Sequence, residues 1–159
     1  MAIAFEDLRP HLNAEEVRLL LDHMDYPADA RAAKTAQVLQ WYHAHAREPI
    51  FGARQDNELV GFIALRLSAP GEAEIRQIAV HSRHRRRGID RQMVAAACQV
   101  HGLRTVSAET DRHAVGFYRR LGFVVSSLGE KYPGTERFSC RLTLVGQRPV
   151  RPATREGCG

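Results

Sequence analysis

The chain has 159 residues, a length that suits one domain able to bury about two thirds of the surface that its unfolded form would expose. Hydrophobic residues make up 44% and charged residues 26%, so the composition excludes an intrinsically disordered protein. The net charge is +5, and lysine contributes only Lys34 and Lys131 among the basic residues. Because arginine contacts phosphates in a bidentate way, this composition admits an anionic ligand without requiring one.

The sequence shows no pattern typical of a membrane span, a signal peptide or a metal site. No stretch approaches the roughly 18 apolar residues that span a bilayer, and the N-terminus MAIAFEDLRP lacks the order of a signal peptide. We therefore expect a cytoplasmic protein that binds no membrane. Cys98, Cys140 and Cys158 are widely spaced and have no nearby cysteine or histidine partner, which predicts free thiols and neither a disulfide nor a metal site.

The first third of the chain reads as two helices followed by a hairpin. Hydrophobic residues recur at helical spacing over 14–23 and 28–47, and a short first strand is expected at 3–5. Two β-rich runs, 50–54 and 58–67, then flank a short polar turn, which predicts an antiparallel hairpin.

The remainder alternates between strand and helix patterns. The predicted elements are a strand at 73–80, a helix ending at Gly102, a strand at 103–109, a short helix ending at Gly122, and strands at 124–128 and 137–145. This order predicts an α+β (mixed α/β) fold, in which a mixed sheet carries helices on both faces. We expect one domain over residues 1–145 and a flexible tail over 146–159.

The segment RRRGID, residues 85–90, begins the central helix directly after a strand. A helix start presents unpaired N–H groups and the positive end of the helix dipole, so Arg85–Arg87 and Gly88 suit an anion such as a pyrophosphate. A solvated basic turn is the alternative. Neither GxGxxG nor GxxxxGK[ST] is present.

Two motifs in order resemble the GNAT family of N-acetyltransferases. Arg85, Gly88 and Ile89 match its acetyl-CoA signature after the strand at 73–80, with Asp90 in the last place. Further on, ETDRHAVGFYRRLGFVV is similar to the second half-motif, in which Ala114, Phe117, Tyr118, Leu121, Gly122 and Phe123 fall in register. The resemblance is specific over residues 58–125.

The resemblance implies a fold, an activity and a set of site residues. The fold is a mixed, mostly antiparallel twisted sheet of six or seven strands flanked by about four helices. The activity is acetyl-CoA-dependent N-acetylation of a primary amine on a small molecule or peptide, with no metal. The implied acetyl-CoA contacts are Ile78, Ala79, Val80, Arg85, Arg86, Arg87, Gly88, Ile89, Asp90, Arg91, Asp111 and Tyr118. The acceptor site is expected in the N-terminal helices and a loop over 126–137, and a homodimer is left open.

Two catalytic roles follow from the resemblance. Tyr118 is the expected proton donor to the CoA thiolate, because a phenol stays protonated at neutral pH; a packed tyrosine is the alternative. Glu74 is the expected base, and an ion pair with a neighbouring arginine is its alternative. Glu109 is the second choice for the base. His81 and His84 flank the basic loop and are expected to solvate phosphates or face water.

Two residues depart from the family pattern. Asp90 places a carboxylate where the motif has a small residue, and repulsion at about 4 Å would cost on the order of 1 to 4 kcal/mol. As an alternative, the carboxylate stabilises the positive end of the helix dipole, pairs with Arg86, Arg87 or Arg91, and points away from the ligand. Asp111 stands where the second motif usually has asparagine.

The sequence leaves two rival functions to consider. A degenerate member of the family would bind acyl-CoA weakly or not at all and act as a sensor or interaction module. Nucleic-acid binding would need a broad basic face, whereas this charge is one loop, so we expect no nucleic-acid partner.

Overall fold

The computed structural model describes residues 3–21 and 28–144. Within them the chain forms seven strands and four α-helices. In chain order these are β1 (Ala4–Asp7), α1 (Glu15–Leu21), α2 (Ala28–Ala44), β2 (Ile50–Gln55), β3 (Glu58–Ala69), β4 (Glu72–Val80), α3 (Ile89–His101), β5 (Thr105–Asp111), α4 (Val115–Arg120), β6 (Val124–Tyr132) and β7 (Thr135–Thr143). The tail expected over 146–159 lies outside the described residues.

All seven strands join in one sheet, in the order β1-β2-β3-β4-β5-β7-β6. Every neighbouring pair is antiparallel except β4 and β5, which are parallel because α3 carries the chain back between them. The predicted mixed, mostly antiparallel sheet with about four helices is therefore confirmed.

The first hairpin turns through two residues. Gln55 pairs with Glu58, and Asp56 and Asn57 between them have φ angles of 53° and 70°. Two successive left-handed residues form a type I′ turn, whose twist matches that of the strands, and aspartate and asparagine tolerate this conformation best among non-glycine residues.

The expected loop over 126–137 is wrong, because strand pairing continues through it. β6 and β7 pair from Val124 to Tyr132, and the chain turns only at Pro133 and Gly134. The pairing register shifts on either side of Gly129, where φ is 79°. These bulges let the hairpin continue although its residues lack a regular alternation of apolar and polar side chains.

Helices cover both faces of the sheet and bury two separate cores. On one face α3 and α4 pack against the sheet over a cluster that includes Ile63, Met93 and Val106. On the other face α1 and α2 cover only the β1–β4 half, over a cluster that includes Tyr42 and Phe62. No helix in the described ranges is long and apolar enough to cross a membrane.

Candidate active site

The sheet splits where β4 and β5 separate. These two strands pair over only three residues each, Glu72–Glu74 with Thr105–Ser107, after which β5 continues beside β7 alone. β4 is deformed at the same point, because Arg76 is an extra residue opposite β3. The main chain of β4 from Ile75 to Val80 therefore has no strand on its β5 side.

A cleft of about 740 Å³ occupies this split. Its walls come from the end of β4, the basic loop, the start of α3, the end of β5 and α4. Eight of the predicted cofactor residues line it: Ile78, Val80, Arg85, Arg86, Ile89, Asp90, Asp111 and Tyr118. Two motifs that are more than twenty residues apart in the chain thus meet in one cavity.

Four other predicted cofactor residues do not line the cleft. Ala79 points to the opposite face and packs against the α1–α2 core. Arg87 and Gly88 are exposed. Arg91 donates instead to the carbonyl oxygen of Arg120 at 2.9 Å.

The basic loop presents backbone donors to the cleft. Gly88 precedes α3 with a φ of 76°, and a Cβ there would meet nothing within 4 Å, so glycine is favoured by its backbone conformation. The first helical hydrogen bond runs from Gln92 to the carbonyl of Gly88. The N–H groups of Ile89 and Asp90 have no acceptor in the described part of the chain, which is the arrangement that binds an anion.

Asp90 is half-buried and faces the cleft. Its carboxylate accepts the backbone N–H of Arg91 at 2.8 Å. It forms no ion pair with any described arginine, so the expected pairing with Arg86, Arg87 or Arg91 is not found. The negative charge therefore remains in the space where the motif has a small residue.

Asp111 holds the start of α4. Its Oδ1 accepts the backbone N–H groups of His113 at 2.9 Å and Ala114 at 3.1 Å. Asparagine offers the same oxygen, so the departure at this position keeps the local structure of the motif.

Tyr118 lies at the floor of the cleft with only 8% of its surface exposed. Its ring makes edge contacts with Phe117 and Phe123, at centroid distances of 5.1 and 5.3 Å. The hydroxyl has no hydrogen-bond partner among the described residues. Burial, followed by the neighbouring Cys140 thiol, raises the pKa of Tyr118 well above its usual value, so the phenol stays protonated.

Glu74 lies beside the split but outside the cleft lining. Its side chain points to the α1–α2 face, where Oε1 meets Arg76 Nη1 at 3.3 Å and Arg66 Nε at 3.5 Å. The structure therefore does not bring Glu74 and Tyr118 into one cavity; the two side chains lie on opposite faces of the split.

Glu109, the second candidate base, is held by two cations. Its Oε2 lies 3.2 Å from both Lys131 Nζ and Arg137 Nε. Hydrogen bonds from Lys131 and then Arg137 lower the pKa of this carboxyl, so it is a weaker proton acceptor than an unpaired glutamate.

The structure adds side chains that sequence reasoning missed. Arg120, Thr110 and His113 also line the cleft. Arg66 meets Glu74 because it is its direct partner across the β3–β4 hairpin. Counting back from the Pro70-Gly71 turn would pair Glu74 with Leu67 instead, and a register shift between Leu67 and Ala69 is what brings Arg66 opposite Glu74.

The two flanking histidines differ in surroundings. His84 lines the cleft, and its Nε2 lies 3.4 Å from a carboxylate oxygen of Glu58. The ring nitrogen Nδ1 of His81 accepts the backbone N–H of Arg83. In the described ranges no three His, Cys, Asp or Glu side chains are grouped as metal ligands.

Comparison with known proteins decides the family. The model of the Acetyltransferase (GNAT) family matches residues 14–123. The chain belongs to the GNAT acetyltransferase family. The resemblance carried by the two motifs is confirmed, and so is the predicted enzyme class. No curated protein matches the sequence significantly.

Solved GNAT structures share the fold. One from Desulfovibrio desulfuricans has a TM-score of 0.73 at 22% identity, covering 90% of this chain and 99% of its own. The PaiA N-acetyltransferase of Thermoplasma acidophilum, in complex with coenzyme A, has a TM-score of 0.69 at 17% identity over 90% and 99%. A Bacillus anthracis protein assigned as a streptothricin acetyltransferase, in complex with acetyl coenzyme A, has a TM-score of 0.54 at 25% identity over 60% and 62%.

Proposed function

We propose that this GNAT protein transfers an acetyl group from acetyl-CoA to a primary amine of a small molecule or peptide, with both substrates bound at once. The observation that carries the proposal is the cleft at the β4–β5 split. It joins an open main-chain edge, an arginine loop at a helix start and a buried phenol in one cavity.

The cleft suits the two chemical parts of acetyl-CoA. The unpaired main chain of β4 offers donors and acceptors to the amide groups of the pantetheine arm. Arg86 and the free N–H groups of Ile89 and Asp90 offer charge and donors to the pyrophosphate. The B. anthracis protein that is 25% identical was solved with acetyl coenzyme A, which supports the same ligand here.

Tyr118 is the proposed proton donor. The amine nitrogen forms a bond to the thioester carbonyl carbon, the carbon–sulfur bond then breaks, and the sulfur leaves as a thiolate. Tyr118 gives its hydroxyl proton to that thiolate, because its raised pKa keeps it protonated and its hydroxyl has no partner in the described chain.

Glu74 is the proposed base, and it acts on the amine from the α1–α2 face. An ammonium group has no lone pair, so one proton must leave before attack. Because α3 and α4 cover one face of the split, the acceptor reaches it from the other face, where Glu74 lies. The Glu74 carboxylate takes the proton through a water molecule.

Release of free CoA in the presence of acetyl-CoA and a panel of amines tests the proposal. Tyr118→Phe is expected to lower kcat on the order of a hundredfold, the scale of a lost general acid. Tyr132→Phe removes the same atom at a residue that is 69% exposed and should leave kcat unchanged. Undiminished turnover in Tyr118→Phe would show that this phenol is not the acid.

A degenerate, non-catalytic member is the second candidate, and Asp90 is the observation that favours it. Its unpaired carboxylate faces the space that the pyrophosphate would occupy. Calorimetric titration of the wild-type chain with acetyl-CoA separates the two. No heat and no thermal shift at millimolar ligand would favour the degenerate protein over the enzyme.

A further inference from the structure

A row of side chains crosses the sheet just below the β4–β5 split. The strand registers join Arg66 to Glu74, Glu74 to Ser107, Ser107 to Arg141 and Arg141 to Val124. Direct partners in neighbouring strands point to the same face of a sheet, so all five side chains share one face. It is the α1–α2 face, because the neighbouring residues Leu65, Ile75, Val106 and Cys140 lie in the opposite core.

Helices leave the β5–β7–β6 part of this face open. The α1–α2 core contains residues of β2, β3 and β4, but none of β5, β7 or β6 in the described chain. Val124 is 73% exposed there, and Arg141 and Lys131 are exposed as well. On the β4 side the open face ends at α2, where the Arg76 guanidinium lies 5.3 Å from the centre of the Trp41 ring.

The two glutamates beside the split are each matched by two cations. Glu74 lies between Arg66 and Arg76, and Glu109 lies between Lys131 and Arg137. In each group the two cations outnumber the single carboxylate, so the group as a whole carries one positive charge.

Arg141 adds a cation that is not balanced. It is exposed and makes no hydrogen bond or ion pair with any residue in the described ranges. Of its two ladder partners, Ser107 is small and neutral and Val124 is apolar. Asp111 is on the same face, but its Oδ1 is taken by the N–H groups at the start of α4. Glu72, the direct partner of Thr105, also lies on this face. Its five cations therefore outnumber its four carboxylates by one: Arg66, Arg76, Lys131, Arg137 and Arg141 against Glu72, Glu74, Glu109 and Asp111. The guanidinium of Arg141 has no partner in the described chain and is free to bind a ligand.

We propose that the acceptor is an amine that carries an anionic group, a carboxylate or a phosphate, and that Arg141 binds this group while the amine lies at Glu74. The inference rests on the proposed acetyl transfer. Two strand spacings of roughly 4.8 Å separate the Cα atoms of these residues. The long arginine side chain can shorten that gap, so a small amino acid or a short acidic peptide fits. A polyamine meets repulsion on the same face.

The transfer step is the one proposed above. The ammonium first gives one proton to Glu74, the amine nitrogen then bonds to the acetyl carbon, and the carbon–sulfur bond breaks. The thiolate takes the Tyr118 proton, and the second proton lost by the nitrogen returns the Tyr118 phenolate to a phenol. Arg141 touches only the anionic group, so it changes acceptor binding without taking part in bond making.

Matched amines that differ only in charge test the inference through CoA release. The panel is γ-aminobutyrate against γ-aminobutyramide, phosphoethanolamine against ethanolamine, and spermidine. At least one anionic amine should have a kcat/KM about tenfold or more above that of its neutral partner, which also tells carboxylate from phosphate. Spermidine should be the poorest acceptor. No acetylation of either anionic amine, or equal values within both pairs, overturns the inference.

Charge variants of Arg141 locate the effect. Arg141→Gln should raise KM for the preferred anionic amine about tenfold with little change in kcat, and Arg141→Glu should abolish the preference. Arg104→Gln is the matched control, because Arg104 precedes β5 at the closed end of the split. If Arg141→Gln and Arg104→Gln behave alike, the assignment of Arg141 is wrong.

The inference and the proposed function fail in different ways. If acetyl-CoA binds and neutral or cationic amines are acetylated best, the acetyltransferase proposal stands and the anionic acceptor is excluded. If acetyl-CoA neither binds nor releases CoA, the proposed function fails and the inference fails with it.

Discussion

Asp90 accepts the backbone N–H of Arg91, its own neighbour in the chain, through a contact of 2.8 Å. The N–H of Arg91 at the start of α3 is thus occupied by a side chain of the same helical turn. The neighbouring N–H groups of Ile89 and Asp90 remain free in the described chain. A phosphate in the cleft would meet both the attraction of the arginines and the repulsion of this carboxylate.

Removing the charge of Asp90 should strengthen acetyl-CoA binding. We expect Asp90→Asn to lower Kd about tenfold, since one repulsion of about 1 kcal/mol or more disappears while the side-chain oxygen stays. Isothermal titration calorimetry measures the change, and the gain should shrink as salt is added. Asp90→Gly serves as a second variant without any side chain. Equal Kd values in all three proteins would mean that the carboxylate does not face the phosphates.

The turn that Asp111 closes just before α4 predicts a contrast between two substitutions. Asp111→Asn should leave the thermal midpoint nearly unchanged, because the oxygen that accepts from His113 and Ala114 is kept. Asp111→Ala should cost about 1 kcal/mol of unfolding free energy, a shift of roughly 2–4 °C for a domain of this size. Differential scanning calorimetry checks both. A loss of stability in Asp111→Asn equal to that in Asp111→Ala would show that the charge, not the oxygen, holds α4.

Comparison of the two glutamates tests the proposed base. Glu74→Gln should lower kcat on the order of a hundredfold and remove the acidic limb of the pH–rate profile, since no carboxylate remains to accept the amine proton. Glu109→Gln makes the same change at a carboxyl whose pKa is lowered by hydrogen bonds from Lys131 and Arg137, and should lower kcat much less. The reverse order of effects would assign the base to Glu109.

Cys98 should be unreactive at neutral pH. Burial raises the pKa of this thiol from its ordinary 9.0 to about 11. The thiol is neutral when protonated, so a raised pKa keeps it neutral until the pH approaches that value, and only the thiolate reacts. Its alkylation by iodoacetamide, followed by mass spectrometry of the peptide, should be about a hundredfold slower at pH 8 than for a free thiol. Rapid alkylation at pH 8 would contradict the raised pKa of Cys98.

The residues that line the cleft were predictable where they belong to a local sequence motif. The basic loop and the second motif each form within a single strand–helix connection, so the sequence places Arg86, Asp90 and Tyr118 without long-range information. The three residues meet in one cleft because the start of α3 and the short helix α4 lie beside the neighbouring strands β4 and β5.

The split and the opposite face were not predictable, because they depend on register. A bulge at Arg76 and three paired residues between β4 and β5 decide where the strands separate, and neither leaves a composition signal. The same registers place Glu74 on the face away from Tyr118 and align it with Arg141, which is 67 positions later in the printed sequence. The long hairpin of β6 and β7 was missed because bulges near Gly129 interrupt its alternation.

The short pairing of β4 with β5 lowers the stability of the sheet but provides the cleft. Strands β1–β4 lie on one side of the split and strands β5–β7 on the other. Between them, the six residues 75–80 of β4 have no strand partner on the β5 side. A mutation that extended the pairing would add hydrogen bonds and remove the cavity. Selection for thermal stability alone would therefore be expected to close the cleft between β4 and β5. The cleft exists only because the pairing at the centre of the sheet is incomplete.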